Sequence, residues 1–228
     1  MNIKQLYDQE TSTFTYLLWD SESNQAALID SVKEQVKRDI AIIEEMQLNL
    51  IYLLETHIHA DHITGSGILR DHFKAKVLVH KNSLSQCADQ LLEHGDQVTL
   101  GNQKIDIRHT PGHTNTDISY VIDGAVFTGD TLLIRGSGRT DFQSGDAGDA
   151  YDSITQKLFT LDDETIVYPG HDYNGRMNST IGEEKKYNPR IHTGVTREQY
   201  ITIMNEMDLP KPKHIDTAVP GNLSCGND

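Results

Sequence analysis

The sequence has little of what marks secreted or membrane-spanning proteins. It has only two cysteines, Cys87 and Cys225, and no CxxC pair. This excludes a disulfide framework but leaves one disulfide possible. Such sparse use of cysteine favours unreactive thiols in a reducing compartment. The longest apolar run near the middle of the chain, Leu50 to Leu54, is far shorter than the ~20 residues that cross a bilayer. The N-terminal residues lack an apolar signal core. We therefore expect a cytoplasmic protein without a membrane partner.

Basic residues are also scarce. Lys and Arg number 20 against 34 Asp and Glu, which gives a formal charge of −14. A general nucleic-acid binder normally has the opposite charge, so the composition argues against nucleic acid as a partner. A small anionic substrate stays compatible, since a local basic patch can lie on an acidic protein. At 228 residues the chain is long enough for one domain with a buried core.

The hydrophobic spacing indicates strands mixed with helices. Apolar residues alternate on both sides of Gly101-Asn102 and of Asp123-Gly124, and such pairs are typical hairpin turns. Helical spacing covers four segments: 32–46, 63–73, 150–159 and 197–207. The mixture predicts a layered α/β fold with mixed sheets. The chain after Gly170 is expected to be mostly polar and irregular, with a proline-containing tail over the surface.

Among the 11 histidines, three share one short segment with an aspartate. His57, His59, Asp61 and His62 directly follow the apolar run that ends at Leu54. His57 and His59 are two positions apart, so loop or extended backbone presents both, and one helix face does not. Each alone is as readily a surface histidine or, for Asp61, a helix cap. Together they favour a metal site, because an ordinary turn needs no three imidazoles.

Three further metal-binding residues follow the same local pattern. His113, Asp130 and His171 each come after a short apolar strand and a glycine. Strand ends in α/β folds converge on clefts where sites are built. Singly, each segment reads as a common turn. The recurrence of the pattern beside the histidine cluster supports the metal interpretation.

The ordered set of metal-binding residues resembles that of the metallo-β-lactamase fold superfamily: His57, His59, Asp61, His62, His113, Asp130 and His171. The resemblance covers nearly the whole chain. It implies a four-layered αβ/βα sandwich with two mixed β-sheets and a metal site at one edge. It also implies a single domain over 1–228, with a short C-terminal extension from about 172 that contributes to the substrate pocket.

Within the superfamily, four segments are similar to the persulfide dioxygenases (sulfur dioxygenases, ETHE1-like proteins). They are residues 56–67 (THIHADHITGSG), 132–143 (LLIRGSGRTDFQ), 168–173 (YPGHDY) and 188–190 (NPR). Ser137 stands where many relatives have cysteine. The resemblance implies one Fe(II) per chain, bound by His57, His113 and Asp130, as in a two-histidine, one-carboxylate site with open positions. It leaves His59, Asp61, His62 and His171 to orient ligands and bound waters.

The implied reaction oxidises glutathione persulfide with O2 and water to glutathione and sulfite. Glutathione carries carboxylates, and the chain has a locally basic stretch that comprises Arg176, Lys185, Lys186 and Arg190. The resemblance makes Tyr173 and Arg190 the first candidates for substrate contact, with Arg139 nearby as a substrate-binding or structural residue. A homo-oligomer and functional coupling to a sulfurtransferase are left open.

Two other functions compete with this one. The complete ligand set also suits a dinuclear zinc hydrolase of glutathione thioesters, similar to glyoxalase II. Glyoxalase II has a larger helical C-terminal domain, and too few residues follow His171 to form one. A third possible function is metal binding without catalysis. The presence of all seven metal-binding residues argues against it, because a site that is no longer catalytic has no need for the complete set. The 138–143 and 188–190 segments favour the dioxygenase.

Overall fold

Two mixed sheets form the centre of the protein. The computed structural model describes residues 1–226. The first sheet has six strands in chain order: β1 (Asn2–Asp8), β2 (Thr13–Trp19), β3 (Gln25–Ile29), β4 (Asn49–Leu54), β5 (Lys76–His80) and β6 (Gln90–Leu92). Strands β1 to β3 pair antiparallel, and β3 to β6 pair parallel.

The second sheet has six strands in reverse spatial order, from β12 at one edge to β7 at the other. Its strands are β7 (Gln97–Leu100), β8 (Gln103–His109), β9 (Ile118–Ile122), β10 (Ala125–Gly129), β11 (Ile166–Pro169) and β12 (Ser179–Thr180). Only β10 and β11 pair in parallel in this sheet of the described chain. The turns at Gly101-Asn102 and Asp123-Gly124 join hairpins as predicted, with both glycines at positive φ.

Helices cover the outer face of each sheet. They are α1 (Val36–Glu45), α2 (Ser66–Phe73), α3 (Ala147–Ser153), α4 (Ile181–Tyr187), α5 (Arg197–Asn205) and α6 (Ile215–Leu223). Residues of α1 and α2 pack with the outward side chains of the first sheet, and residues of α3 and α5 pack with those of the second. The four-layered αβ/βα sandwich is therefore confirmed.

The main core lies between the two sheets. Tyr16 and Leu18 of β2 pack there with Tyr120 and Phe127 of the second sheet. Leu17, between them in the sequence, points to the helices instead, as the two-residue alternation of a strand requires. This core fixes the two sheets face to face, so their strand ends share one edge.

The C-terminal part of the chain is more regular than predicted. The segment after Gly170 was expected to be irregular, but it contains β12 and α4. The proline-containing tail forms α6 in spite of Pro220 within it, because Ala218 and Asn222 are buried against the rest of the fold. Along residues 1–226, no helix combines the length and apolar character that crossing a bilayer requires.

The two cysteines form a disulfide, so the expectation of two thiols was wrong. Cys87 and Cys225 are 138 positions apart in sequence, and their Cα atoms are 6.0 Å apart. Cys225 is buried against α1, α2 and the first sheet. The bond therefore ties the end of α6 to the body of the protein.

Removing this cross-link is expected to lower the free energy of unfolding by about 2–4 kcal/mol, the usual effect of a disulfide that closes a long loop. Urea unfolding of the Cys87→Ser/Cys225→Ser double variant measures the loss. A thiol reductant should bring the wild type to the same midpoint and leave the variant unchanged. Equal midpoints for wild type and variant without reductant would contradict the prediction.

Candidate metal centre

Four strand ends bring the predicted ligands to one edge of the sandwich. His57 follows β4, His113 follows β8, Asp130 follows β10 and His171 follows β11. The close approach of β10 needs Gly129, which has a φ of +50° and whose added Cβ would lie 2.5 Å from the hydroxyl oxygen of Thr56. The pattern of apolar strand, glycine and ligand thus has a steric cause here.

His57, His113 and Asp130 form a compact group. One ligand atom from each lies within 4.8 Å of the others, and the Nε2 of His113 is 3.6 Å from the Oδ2 of Asp130. Two imidazoles and one carboxylate are the donor set of non-haem Fe(II) sites with open positions. The three residues therefore have the chemistry and the proximity to hold such an ion.

Hydrogen bonds orient both imidazoles toward a metal. The Nδ1–H of His113 donates to the carbonyl of Arg139 at 2.7 Å, which leaves Nε2 with a lone pair. The hydroxyl of Thr56 donates to Asp30 at 2.8 Å, so the Nδ1–H of His57 donates to that hydroxyl oxygen at 2.9 Å. Such outer contacts fix the tautomer of a metal-binding histidine.

The electrostatics of the group suit metal binding. Burial lowers the pKa of His57 well below its ordinary value, with help from the neighbouring imidazoles. A neutral imidazole keeps the lone pair that a metal requires. Burial raises the pKa of Asp130, but the charge and hydrogen bond of His171 outweigh it, and the pKa falls below its ordinary value. Asp130 is therefore a carboxylate at neutral pH.

The other predicted residues surround this group. Ligand atoms of His59, Asp61 and His62 also lie within 4.8 Å of one another. The Oδ2 of Asp61 accepts from His62 at 2.9 Å and from His171 at 3.0 Å. The Nδ1 of His171 donates to Asp130 at 2.7 Å. One nitrogen of His59 and one of His62 are buried without a hydrogen-bond partner along residues 1–226, so this second group also offers lone pairs to an ion.

Asp30 supports the site and was not singled out from the sequence. Its carboxylate, which is 1% exposed, accepts the N–H and hydroxyl of Thr56 at 2.7 and 2.8 Å. It also accepts from the Nε2 of His59 at 3.2 Å. The signal was available, because Asp30 follows the apolar strand β3, as the predicted ligands follow theirs.

Asn222 of α6 holds the histidine loop from the other side. Its Nδ2 donates to the carbonyls of His59 and His62, both at 2.9 Å. Its Oδ1 accepts the N–H of Thr64 at 2.8 Å. The last helix thus fixes the backbone that presents the histidine cluster, and no local sequence pattern announces this contact.

Asn222→Ala is expected to weaken metal binding about 10- to 100-fold, the usual cost of losing an outer contact of a metal site. Three buried backbone groups lose their partner and the loop loses its fixed position. Metal titration of the variant measures the effect. Asn205→Ala, at an exposed position of α5, is the matched control and should bind metal as the wild type does. Wild-type affinity in Asn222→Ala would exclude the tethering role.

A cavity of about 630 Å³ opens beside the metal-binding group. Its lining includes His113, Asp130 and His171 as well as the predicted substrate residues Arg139, Tyr173 and Arg190. The cavity volume suits a small-molecule ligand. The other members of the basic stretch, Arg176, Lys185 and Lys186, are not among its lining residues.

The three candidate substrate residues differ in how much of each side chain is free to contact a substrate. Four donors of the Arg139 guanidinium are already used, on Asp141 and on the carbonyls of Leu209 and Pro210, which favours the structural role for this residue. Arg190 donates from Nη1 to the carbonyl of Ser137 at 2.5 Å. The ring of Tyr173 stacks on His171 at 5.9 Å and is 70% exposed.

Ser137 itself has no free hydroxyl for chemistry. It is buried, accepts a hydrogen bond from Tyr200 at 2.8 Å and donates to the sulfur of Met204 at 3.7 Å. Ser137 lines the cavity, but its hydroxyl is engaged with Tyr200 and Met204, and a cysteine is not required there for the fold.

Comparison with known proteins places the chain in a family. The metallo-beta-lactamase superfamily matches residues 9–171. Human persulfide dioxygenase ETHE1, a mitochondrial protein by name, is 44% identical over 98% of this chain and 88% of the human one. The crystal structure of ETHE1 from Myxococcus xanthus has a TM-score of 0.97 and 52% identity, with 100% of both chains covered. The chain belongs to the ETHE1 persulfide dioxygenases of the metallo-beta-lactamase superfamily.

This family membership confirms the resemblance drawn from the four sequence segments. A probable metallo-hydrolase from Burkholderia pseudomallei is also similar, at 31% identity over 99% of this chain and 93% of its own. Its 31% identity is lower than the 44% identity of the human persulfide dioxygenase, which agrees with the preference for the dioxygenase branch over the hydrolase branch. The roles of the individual metal-site and substrate residues stay predictions.

Proposed function

We propose that this protein oxidises glutathione persulfide with O2 and water to glutathione and sulfite, using one Fe(II) per chain. His57, His113 and Asp130 would hold the iron. The observation that carries the proposal is the proximity of these three donors within 4.8 Å in a chain similar over its length to persulfide dioxygenases. Two imidazoles and one carboxylate would leave coordination positions open for substrate and O2.

The iron, when bound, makes the oxygen chemistry accessible. The protein orients the side chains that would bind the iron. Thr56 and the carbonyl of Arg139 fix the two imidazoles through their Nδ1–H groups. His171 binds Oδ1 of Asp130 and so leaves Oδ2 for the metal. Because these contacts exist before substrate arrives, the ligands need little reorganisation on binding.

The cavity would bind the carrier thiol, which is the glutathione part of the persulfide. The cavity lining includes His113 and Asp130 of the proposed iron site together with Arg190. The guanidinium of Arg190 donates only to the Ser137 carbonyl among residues 1–226, so further donors are available for a substrate carboxylate. In this arrangement the persulfide points inward and the carboxylates of the carrier stay near the mouth.

Arg190→Ala is expected to lower kcat/KM for glutathione persulfide about 10- to 150-fold, the equivalent of about 1.5–3 kcal/mol for a charged hydrogen bond. The loss should lie mainly in KM, because the carboxylate is remote from the reacting sulfur and is bound alike in ground and transition states. Steady-state O2 uptake measures both constants. Iron content should stay at the wild-type level, and Arg176→Ala serves as the control outside the cavity. An unchanged KM would remove Arg190 from the substrate pocket.

A dinuclear zinc hydrolase of glutathione thioesters is the second candidate. The observation that favours it is the adjacent group of His59, Asp61 and His62, which also has its ligand atoms within 4.8 Å. Two metal ions with a water between them would hydrolyse a thioester without O2. The two functions therefore differ in metal, in stoichiometry and in co-substrate.

Anaerobic titration of the metal-free protein with Fe(II) or Zn(II) separates the two functions. The dioxygenase predicts saturation at one iron per chain, with persulfide-dependent O2 uptake that appears with iron and not with zinc. The hydrolase predicts two zinc ions per chain and thioester hydrolysis of similar efficiency. A cytoplasmic location, a homo-oligomer and coupling to a sulfurtransferase stay predictions beside this proposal, and the human and bovine relatives are named as mitochondrial.

A further inference from the structure

The cavity mouth holds a cation that is not neutralised. Two of the lining arginines have carboxylate partners, since Arg135 binds Glu183 at 2.9 Å and Arg139 binds Asp141 at 2.7 Å. Lys213 also lines this cavity. It has no hydrogen bond or ion pair with a side chain along residues 1–226, so its charge is available to a ligand.

The position of Lys213 is set from both sides. We call residues 207–214 the strap, because they join α5 to α6 and most of them line the cavity. On one side, the carbonyls of Leu209 and Pro210 accept from Arg139 at 3.2 and 2.6 Å. On the other, α6 begins at Ile215 and is held by Asn222 and by the disulfide. Pro210 and Pro212 restrict the backbone between these anchors.

The neighbouring lysine of the strap is different. Lys211 donates to both carboxylate oxygens of Asp216 at 2.8 and 2.7 Å, so its charge is used within the protein. The strap therefore presents one paired and one unpaired lysine two positions apart. This pair gives a matched comparison in a single exposed segment.

We propose that Lys213 binds a carboxylate of the carrier thiol and makes the enzyme selective for persulfides of carboxylate-bearing thiols. The inference rests on the proposed function and extends it to substrate recognition. The formal charge of the chain is −14, so long-range steering repels an anionic substrate and recognition depends on local cations. Glutathione has two carboxylates, and Arg190 and Lys213 are the two cavity-lining cations of Arg or Lys type without a carboxylate partner among residues 1–226.

Steady-state O2 uptake with two substrates tests this role. Lys213→Ala is expected to raise KM for glutathione persulfide about 3- to 10-fold, in the range of a partly exposed charged contact, and to leave kcat unchanged. KM for 2-hydroxyethyl persulfide, which has no carboxylate, should stay the same. Lys211→Ala should match the wild type with both substrates, and Lys213→Arg should restore the wild-type KM. An equal rise for both persulfides, or no rise, would overturn the proposal.

Binding without turnover distinguishes this inference from the proposed function. Calorimetry of glutathione with the iron-loaded protein should give a Kd about 3- to 10-fold weaker in Lys213→Ala than in the wild type or Lys211→Ala. If the wild type oxidises no persulfide, the proposed function fails, and the glutathione titration still decides the role of Lys213. Equal Kd values in Lys213→Ala and wild type, or no glutathione binding by the wild type, would overturn that role.

Discussion

His113→Ala is expected to lose most of its bound iron and to lower persulfide-dependent O2 uptake about 1,000-fold, the equivalent of about 4 kcal/mol of metal-dependent stabilisation. The substitution removes one of the three proposed ligands and also the hydrogen bond that orients it on the Arg139 carbonyl. Iron analysis of protein purified without O2, together with O2 uptake, measures both effects.

Variants of two other histidines show whether the effect of His113→Ala is specific to that position. His109→Ala, four positions earlier and bonded to the Asn115 carbonyl, should keep its iron and its activity. His59→Ala should keep much of its iron and lose activity about 10- to 100-fold, because the proposed role of His59 is to orient the ligands without binding the iron. Full iron content in His113→Ala, or no metal at all in His59→Ala, would contradict the assignment of ligands and favour the dinuclear site.

Asp30→Ala is expected to lower the free energy of unfolding by about 3–5 kcal/mol, as removal of one partner from a buried charged network usually does. The variant leaves the N–H and hydroxyl of Thr56 without their acceptor and takes from the Nε2 of His59 one of its two carboxylate partners, the other being Glu55 at 3.3 Å. Since all three are buried, water does not replace the lost bonds. The histidine loop should lose its fixed position, so iron affinity should fall as well.

Urea unfolding of Asp30→Ala measures this change. Asp71→Ala is the control, because the Asp71 side chain is 76% exposed and its removal should change the unfolding free energy by no more than about 0.5 kcal/mol. Asp30→Asn keeps one acceptor for Thr56 and should lie between wild type and Asp30→Ala. A loss below about 1 kcal/mol in Asp30→Ala would show that the network is not a main support of the loop.

The sequence predicted the parts of the fold that depend on local pattern. The hairpin turns at Gly101-Asn102 and Asp123-Gly124 were found because turn chemistry and two-residue alternation agree there. The candidate ligands His113, Asp130 and His171 were found because each follows an apolar strand and a glycine, and the 57–62 segment was found because its histidines are clustered. The four-layered arrangement of two mixed sheets and the family came from the resemblance of the whole motif set.

The features that were missed depend on contacts distant in sequence. The spacing of Cys87 and Cys225 says nothing about their distance in space, so their pairing could not be derived. Pro220 disfavours a helix locally, and α6 forms because Ala218 and Asn222 are buried against parts of the fold that are distant in sequence. Whether a basic residue has an ion-pair partner also depends on residues distant in sequence, as the pairing of Lys185 with Asp163 shows.

The balance between O2 consumed and sulfite formed tests the central claim most directly. Protein loaded with one Fe(II) per chain is mixed with glutathione persulfide in an oxygen-electrode cell, and sulfite and glutathione are quantified at the end. The proposed reaction predicts one sulfite and one glutathione per O2 consumed, with no uptake in the metal-free protein. Absence of O2 uptake, together with thioester hydrolysis by the protein loaded with two zinc ions, would contradict the dioxygenase assignment.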